Sequence, residues 1–201
     1  RWFKPSRAHH LKIMATDRYK KKLIEEGNKA VEDKKWQEAS EIFYKLDKIF
    51  KDNYGVLSNL SLCLMNNKEY DKSIEILDKL EKIAPLDVKV NFFKGRCLEL
   101  QKKYDESLES YKKCLRIDKD HQESWIKCAD ILGLKGEFPK AISLYKKIYN
   151  DTKMIDIAIK LAATLASNSQ KQEAVEILEQ ILKEFPNNDT AKNLIKKISQ
   201  I

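Results

Sequence analysis

The chain has 201 residues, with scarce Gly (5) and Pro (4), 35% charged residues and a net charge of +8. That length suffices for a sizeable core, the composition favours helices over strands, and no apolar run reaches the roughly 18 residues of a membrane-spanning helix. The charge is lopsided: residues 1–22 hold eight basic side chains against Asp17 alone, so they carry +7 and the remainder is nearly neutral.

Residues 1–19 read as a basic N-terminal arm. Pro5 and Ser6 break it early. Trp2, Phe3, Leu11, Ile13 and Met14 follow no helical stripe, so the segment reads as irregular to about residue 18, with at most a helical turn over 8–19. A Trp2-Phe3 pair beside Arg1, Lys4 and Arg7 suits contact with a second partner, protein or RNA. His9-His10 has no companion ligands, so no metal site is expected there.

From Lys20 onward the sequence is periodic. Ala39, Ser73, Ser107, Ala141 and Ala174 are small residues spaced 34, 34, 34 and 33 apart. A large residue follows four later (Phe43, Leu77, Tyr111, Tyr145, Leu178) and a third apolar one three after that (Leu46, Leu80, Cys114, Ile148, Ile181). A fixed period of this size means stacked repeats. The apolar spacing predicts two amphipathic helices per unit. The first of each pair spans about 20–33, 54–66, 88–101, 122–135 and 155–167; the second spans about 36–50, 70–83, 104–117, 138–150 and 171–184. The last interval is one residue short, so the junction near Asn150–Lys153 should differ from the others. Residues 188–201 read as one further helix, capped by Asn188 or Asp189, whose Leu194, Ile195 and Ile198 would cover the last unit.

Four cysteines, Cys63, Cys97, Cys114 and Cys128, fall at apolar helix positions without a CxxC pair. They read as buried free thiols, in keeping with an intracellular, reducing compartment. The cytoplasm is the first reading; a mitochondrial or other organellar matrix is the alternative, since the arm is rich in Arg and Lys and poor in acids.

The period, the small-large-apolar triplet and the prolines closing two units at Pro85 and Pro186 resemble the tetratricopeptide repeat. Small residues also stand at the repeat's eighth position, Gly27, Ser61, Gly95, Ala129 and Ala162. The resemblance implies an all-α fold: a right-handed αα solenoid of five helix pairs over 20–187, with a C-terminal capping helix at 188–201. It further implies a concave groove lined by the first helix of each pair, holding a peptide or helix of a partner protein. The groove residues so implied are Ile24, Asn28, Asn59, Leu62, Lys89, Phe92, Phe93, Arg96, Ile126 and Lys127, with the Phe92-Phe93 pair as the expected hot spot.

The reading is thus a non-catalytic scaffold or adaptor within a larger assembly. One alternative is a co-chaperone-type adaptor for acidic C-terminal tails. Asn28, Asn59 and Lys89 match the family's carboxylate clamp, but Ile24 and Phe93 replace two of its three cations. A second alternative is a peripheral ribonucleoprotein subunit that uses the arm. Phosphate-loop, HExxH and GxSxG patterns are missing from the sequence, and neither catalysis nor a cofactor is expected.

Overall fold

Each pair of helices is joined by the same tight turn. Lys34, Lys68, Lys102, Gly136 and Ser169 all adopt left-handed backbone angles, with φ between 57° and 74°. At four of the five the following residue donates back across the turn: Lys35 N–H to the Ala30 carbonyl, Glu69 to Leu64, Glu137 to Leu132 and Gln170 to Leu165. This six-to-one bond satisfies a carbonyl that the ending helix leaves open. At these four turns it also reverses the chain, so the next helix runs back along the first. Four of the five left-handed residues carry a β-carbon, which that region disfavours; only Gly136 does not.

The computed structural model describes residues 7–200, with side chains described from residue 17. Among the described residues there are eleven helices and no strand. They are α1 (Arg7–Glu32), α2 (Trp36–Ile49), α3 (Tyr54–Asn66), α4 (Tyr70–Ile83), α5 (Val88–Leu100), α6 (Tyr104–Ile117), α7 (Gln122–Leu134), α8 (Phe138–Thr152), α9 (Ile155–Ser167), α10 (Lys171–Glu184) and α11 (Asp189–Ser199). Ten helices in pairs and a final single one agree with the expected all-α repeat architecture. The segment expected to be irregular up to about residue 18 is instead helical from Arg7, continuous with the first repeat helix. The chain there has no Gly or Pro between Ser6 and Gly27, so nothing interrupts propagation once the helix has started.

The helices form two compact units, Arg1–Gln101 and Lys102–Ile201. In the first unit, α1 to α5 each pack on the next. The triplet residues Ala39, Phe43, Leu46, Leu77 and Leu80 are buried there, joined by Leu57, Leu60 and Leu64 of α3. The small positions are small for a reason: a Cβ at Gly27 would lie 3.1 Å from Ile42 Cγ2 and 3.3 Å from Phe43 Cζ. Ser73 is fully buried and donates to the Ser61 carbonyl at 2.8 Å, tying α4 to α3.

In the second unit, α6 to α11 pack in the same sequential manner, and α11 lies on both α9 and α10. Tyr111, Cys114, Tyr145, Ile148, Leu178 and Ile181 of the triplet are buried. In α11, Ile198 is buried and Leu194 and Ile195 are half-buried, while Lys192, Lys196 and Lys197 are exposed. Asn188 caps it by accepting from Ala191 N–H at 2.9 Å.

One bridge recurs through the repeat. The residue ending a first helix reaches back to the preceding second helix: Asn67 to Gln37 at 2.6 Å and Gln101 to Asp71 at 2.8 Å in the first unit, and Lys135 to Asp105 at 2.5 Å in the second. The short interval is localised too. α8 has 15 residues where the other second helices have 14, and only Lys153, in the left-handed region, and Met154 connect it to α9.

Candidate functional site

The buried stripe of each first helix fixes which side chains are left over. In α1, Leu23, Gly27 and Ala30 face inward, and Ile24 and Asn28 are exposed. In α3, Leu57, Leu60 and Leu64 are buried, leaving Asn59 and Leu62 half-buried. In α5, Val90, Gly95 and Cys97 are buried, leaving Phe92 and Phe93 half-buried and Lys89 and Arg96 exposed. The eight expected groove residues of the first unit stand at repeat positions 2, 5, 6 and 9 of α1, α3 and α5, and none of them is fully buried.

Their surroundings differ. Leu62 and Phe93 pack against the core of the first unit, so each helps hold the fold as well as facing outward. Phe92 and Phe93 meet edge to face with centroids 6.0 Å apart, a favoured aromatic geometry. The side chains of Asn28, Asn59, Lys89 and Arg96 make no hydrogen bond or ion pair among the described residues. The candidate arm contacts Arg1, Trp2, Phe3 and Lys4 lie outside the described residues, as does the side chain of Arg7.

In the second unit, Ile126 and Lys127 of α7 are half-buried. The polar groups beside them are consumed internally. Asp130 accepts from Lys160 of α9 at 2.6 and 2.8 Å and from the Tyr145 hydroxyl of α8 at 2.5 Å. Burial, together with the Asp130 carboxylate, pushes the Tyr145 phenol well above its ordinary pKa. Here Asp130, Lys160 and Tyr145, beside the expected groove residues, are bound to one another.

The sequence reading missed a second feature. A pocket of about 630 Å³ opens between α6, α7 and α8. Its apolar lining is Leu108, Leu115, Trp125, Cys128, Leu132 and Leu144. At about 100° per residue, Trp125, Cys128 and Leu132 share one side of α7, while Ile126, Lys127 and Asp130 share the other. The pocket therefore lies away from the expected groove face. Most of its rim charges are paired: Arg116 with Glu109, Lys135 with Asp105 and Glu137, and Lys140 with Glu137. Hydrogen bonds from Lys140 and Lys135 hold the Glu137 carboxyl down at about 2. Lys112 lines the same pocket and makes no ion pair among the described residues.

Among the described residues, no group of three or more metal-ligating side chains comes together. No described helix is long and apolar enough to cross a membrane.

Comparison with known proteins agrees with the geometry. Tetratricopeptide repeat profiles match residues 30–91, 88–121 and 158–188, together more than half of the chain. No curated protein matches the sequence. Among solved structures, a tetratricopeptide repeat protein from Parabacteroides merdae superposes with a TM-score of 0.80 at 14% identity, covering 89% of this chain and 72% of that one. MamA from Desulfovibrio magneticus gives 0.75 at 16% identity, covering 85% and 97%. YrrB, described as a TPR protein with an unusual peptide-binding site, gives 0.69 at 13% identity, covering 85% and 88%. The repeated small-large-apolar triplet, the five equivalent left-handed turns and the three profile matches identify this chain as a member of the tetratricopeptide repeat family.

Proposed function

We propose that this chain is a non-catalytic protein-interaction scaffold that holds a segment of a partner protein against α1, α3 and α5. One observation carries the reading. The side chains of Asn28, Asn59, Lys89 and Arg96 make no hydrogen bond or ion pair among the described residues, and they stand among Ile24, Leu62 and the Phe92-Phe93 pair at repeat positions 2, 5, 6 and 9 of α1, α3 and α5. Unpaired amide and cationic groups beside apolar anchors suit an extended peptide or a helix: the apolar groups supply burial, and the polar ones bond its backbone and acids. The fold shared with YrrB, described as having a peptide-binding site, supports the same class of ligand.

The acidic-tail reading keeps one favourable feature, Lys89 together with Asn28 and Asn59. It lacks cations at Ile24 and Phe93, where charge-assisted bonds would be strongest. An arm-borne second partner, protein or RNA, is a separate part of the proposal.

The test is selection of peptides from a displayed random library on the purified chain, followed by affinity measurement on an Asn59→Ala/Lys89→Ala/Arg96→Ala variant. The expected outcome is affinity about tenfold or more weaker with an unchanged melting temperature, because these side chains hold nothing else. Peptides that bind the variant as tightly as the parent overturn the reading. A preference for acidic peptides with a free C-terminal carboxylate favours the tail-binding version.

A further inference from the structure

The repeat supplies its own control for the pocket between α6 and α8. In two pairs of neighbouring second helices, each within one unit, the residue after the large triplet position and the residue before the next small one approach one another across the gap. Between α8 and α10 these are Lys146 and Glu173, and they form an ion pair at 2.6 Å. Between α2 and α4 they are Tyr44 and Lys72, near enough for the lysine's charge to act on the phenol. Between α6 and α8 they are Lys112 and Lys140, both lining the pocket. Two like charges stand where the neighbouring gap has a closing pair; Lys140 is held by Glu137 beside it, and Lys112 makes no ion pair among the described residues.

We propose that the α6–α8 pocket is a second docking site, for an acidic amphipathic segment of a partner protein. A bulky apolar residue of that segment would fill the space bounded by Leu108, Leu115, Trp125 and Leu144. A carboxylate beside it would pair with Lys112, as Glu173 pairs with Lys146 in the next gap. The size suits this occupant: about 630 Å³ is within the range of a well-formed binding pocket and holds a large side chain with its neighbours. The charge suits it as well. The acids on the rim, Asp105, Glu109 and Glu137, already serve Lys135, Arg116 and Lys140, so Lys112 remains for an incoming anion. The site is independent of the α1, α3 and α5 face, because its residues lie in the other unit and on the side of α7 away from Ile126 and Lys127.

The probe is a fluorescein-labelled, blocked helical peptide with Leu, Trp and Leu along one face and Glu flanking them, followed by fluorescence anisotropy on the full chain. The comparison probes are the same peptide with Lys replacing Glu, and decanoate, which carries the same chemistry on a lipid. The acidic peptide should bind at least about tenfold more tightly than its lysine counterpart. Lys140→Glu, which sets a carboxylate opposite Lys112 as Glu173 stands opposite Lys146, should abolish that preference, and Lys112→Ala, which breaks no ion pair among the described residues, should do the same without lowering the melting temperature. Leu144→Gln should weaken both peptides. Asn59→Ala/Lys89→Ala/Arg96→Ala should leave this binding unchanged, separating the site from the face proposed above. Equal binding of the two peptides, an unchanged preference in Lys140→Glu, or displacement of the peptide by decanoate at comparable concentration would overturn the proposal.

Discussion

The two units solve the same packing problem and leave different things undone. In the first, the outward polar groups of the first helices, Asn28, Asn59, Lys89 and Arg96, have no partners among the described residues. In the second, Asp130, Lys160 and Tyr145 beside Ile126 and Lys127 bind one another, and the pocket lies on the other side of α7. One repeat, copied along a chain, therefore need not present the same surface twice. The buried triplet fixes the helices, and the outward positions are left to vary from pair to pair. The difference argues that this chain offers two kinds of surface, a polar-apolar strip in one unit and an apolar pocket with an unmatched cation in the other.

The comparison can be stressed first with alkali. Each unit buries two thiols, Cys63 and Cys97 in one and Cys114 and Cys128 in the other. Burial pushes all four up, Cys63 to about 11 and Cys128 to about 12, from an ordinary 9.0. Above pH 9 the unfolded chain loses thiol protons that the native state keeps, so stability falls as pH rises from about 9 towards 11 and 12. Each thiol contributes up to about 1.4 kcal/mol per pH unit within its window. Urea titrations at pH 8 and pH 10.5 should show this loss. It should shrink in Cys63→Ala/Cys97→Ala and in Cys114→Ala/Cys128→Ala, and extend to higher pH where Cys128 is kept.

A smaller effect separates the two polar faces directly. Asp130→Ala leaves Lys160 and the buried Tyr145 hydroxyl without their acceptor and should cost about 1–3 kcal/mol. Asn59→Ala, at a comparable outward position in the first unit, should change stability by less than about 0.5 kcal/mol. Equal costs, measured by chemical denaturation, would erase the distinction between paired and unpaired polar positions.

The smallest effect concerns the turns. A Cβ at Gly136 meets nothing within 4 Å, so Gly136→Ala should cost only the left-handed backbone penalty, about 1 kcal/mol. Lys68→Gly should recover part of that penalty in the first unit, less the entropy that glycine adds to the unfolded chain. Shifts in melting temperature of opposite sign are the expected readout.

Much of the fold was legible because burial repeats with a period. Ala39, Phe43 and Leu46, and their counterparts along the chain, placed ten helices to within about two residues at most boundaries. The short interval at Ala174 was visible as a number. Its cause, a longer α8 and a two-residue connection, was not, because a spacing does not say whether helix or loop absorbs the change. The start of α1 was missed because the residues before Tyr19 lack an apolar stripe, and that stripe was the cue in use. The expected groove residues lie on the first helices as read, but the sequence could not show that Asp130 would meet Lys160 and Tyr145, partners 30 and 15 residues away. The α6–α8 pocket had a usable signal in Lys140 standing where the next unit has Glu173. Aligning the second helices by charge, as well as by their apolar triplets, would have found it.

The two-residue link between α8 and α9 has a practical consequence. The connections at residues 50–53, 84–87 and 118–121 carry spare length, and Leu86 in the second of them is 79% exposed. An epitope or fluorophore placed there extends a surface hairpin whose ends are already fixed, at little entropic cost. At Lys153 and Met154 the slack has been spent on the extra residue of α8, so any graft must unwind helix to make room. Labels for following this molecule belong at Leu86, and a graft at Met154 becomes a deliberate way to loosen one corner.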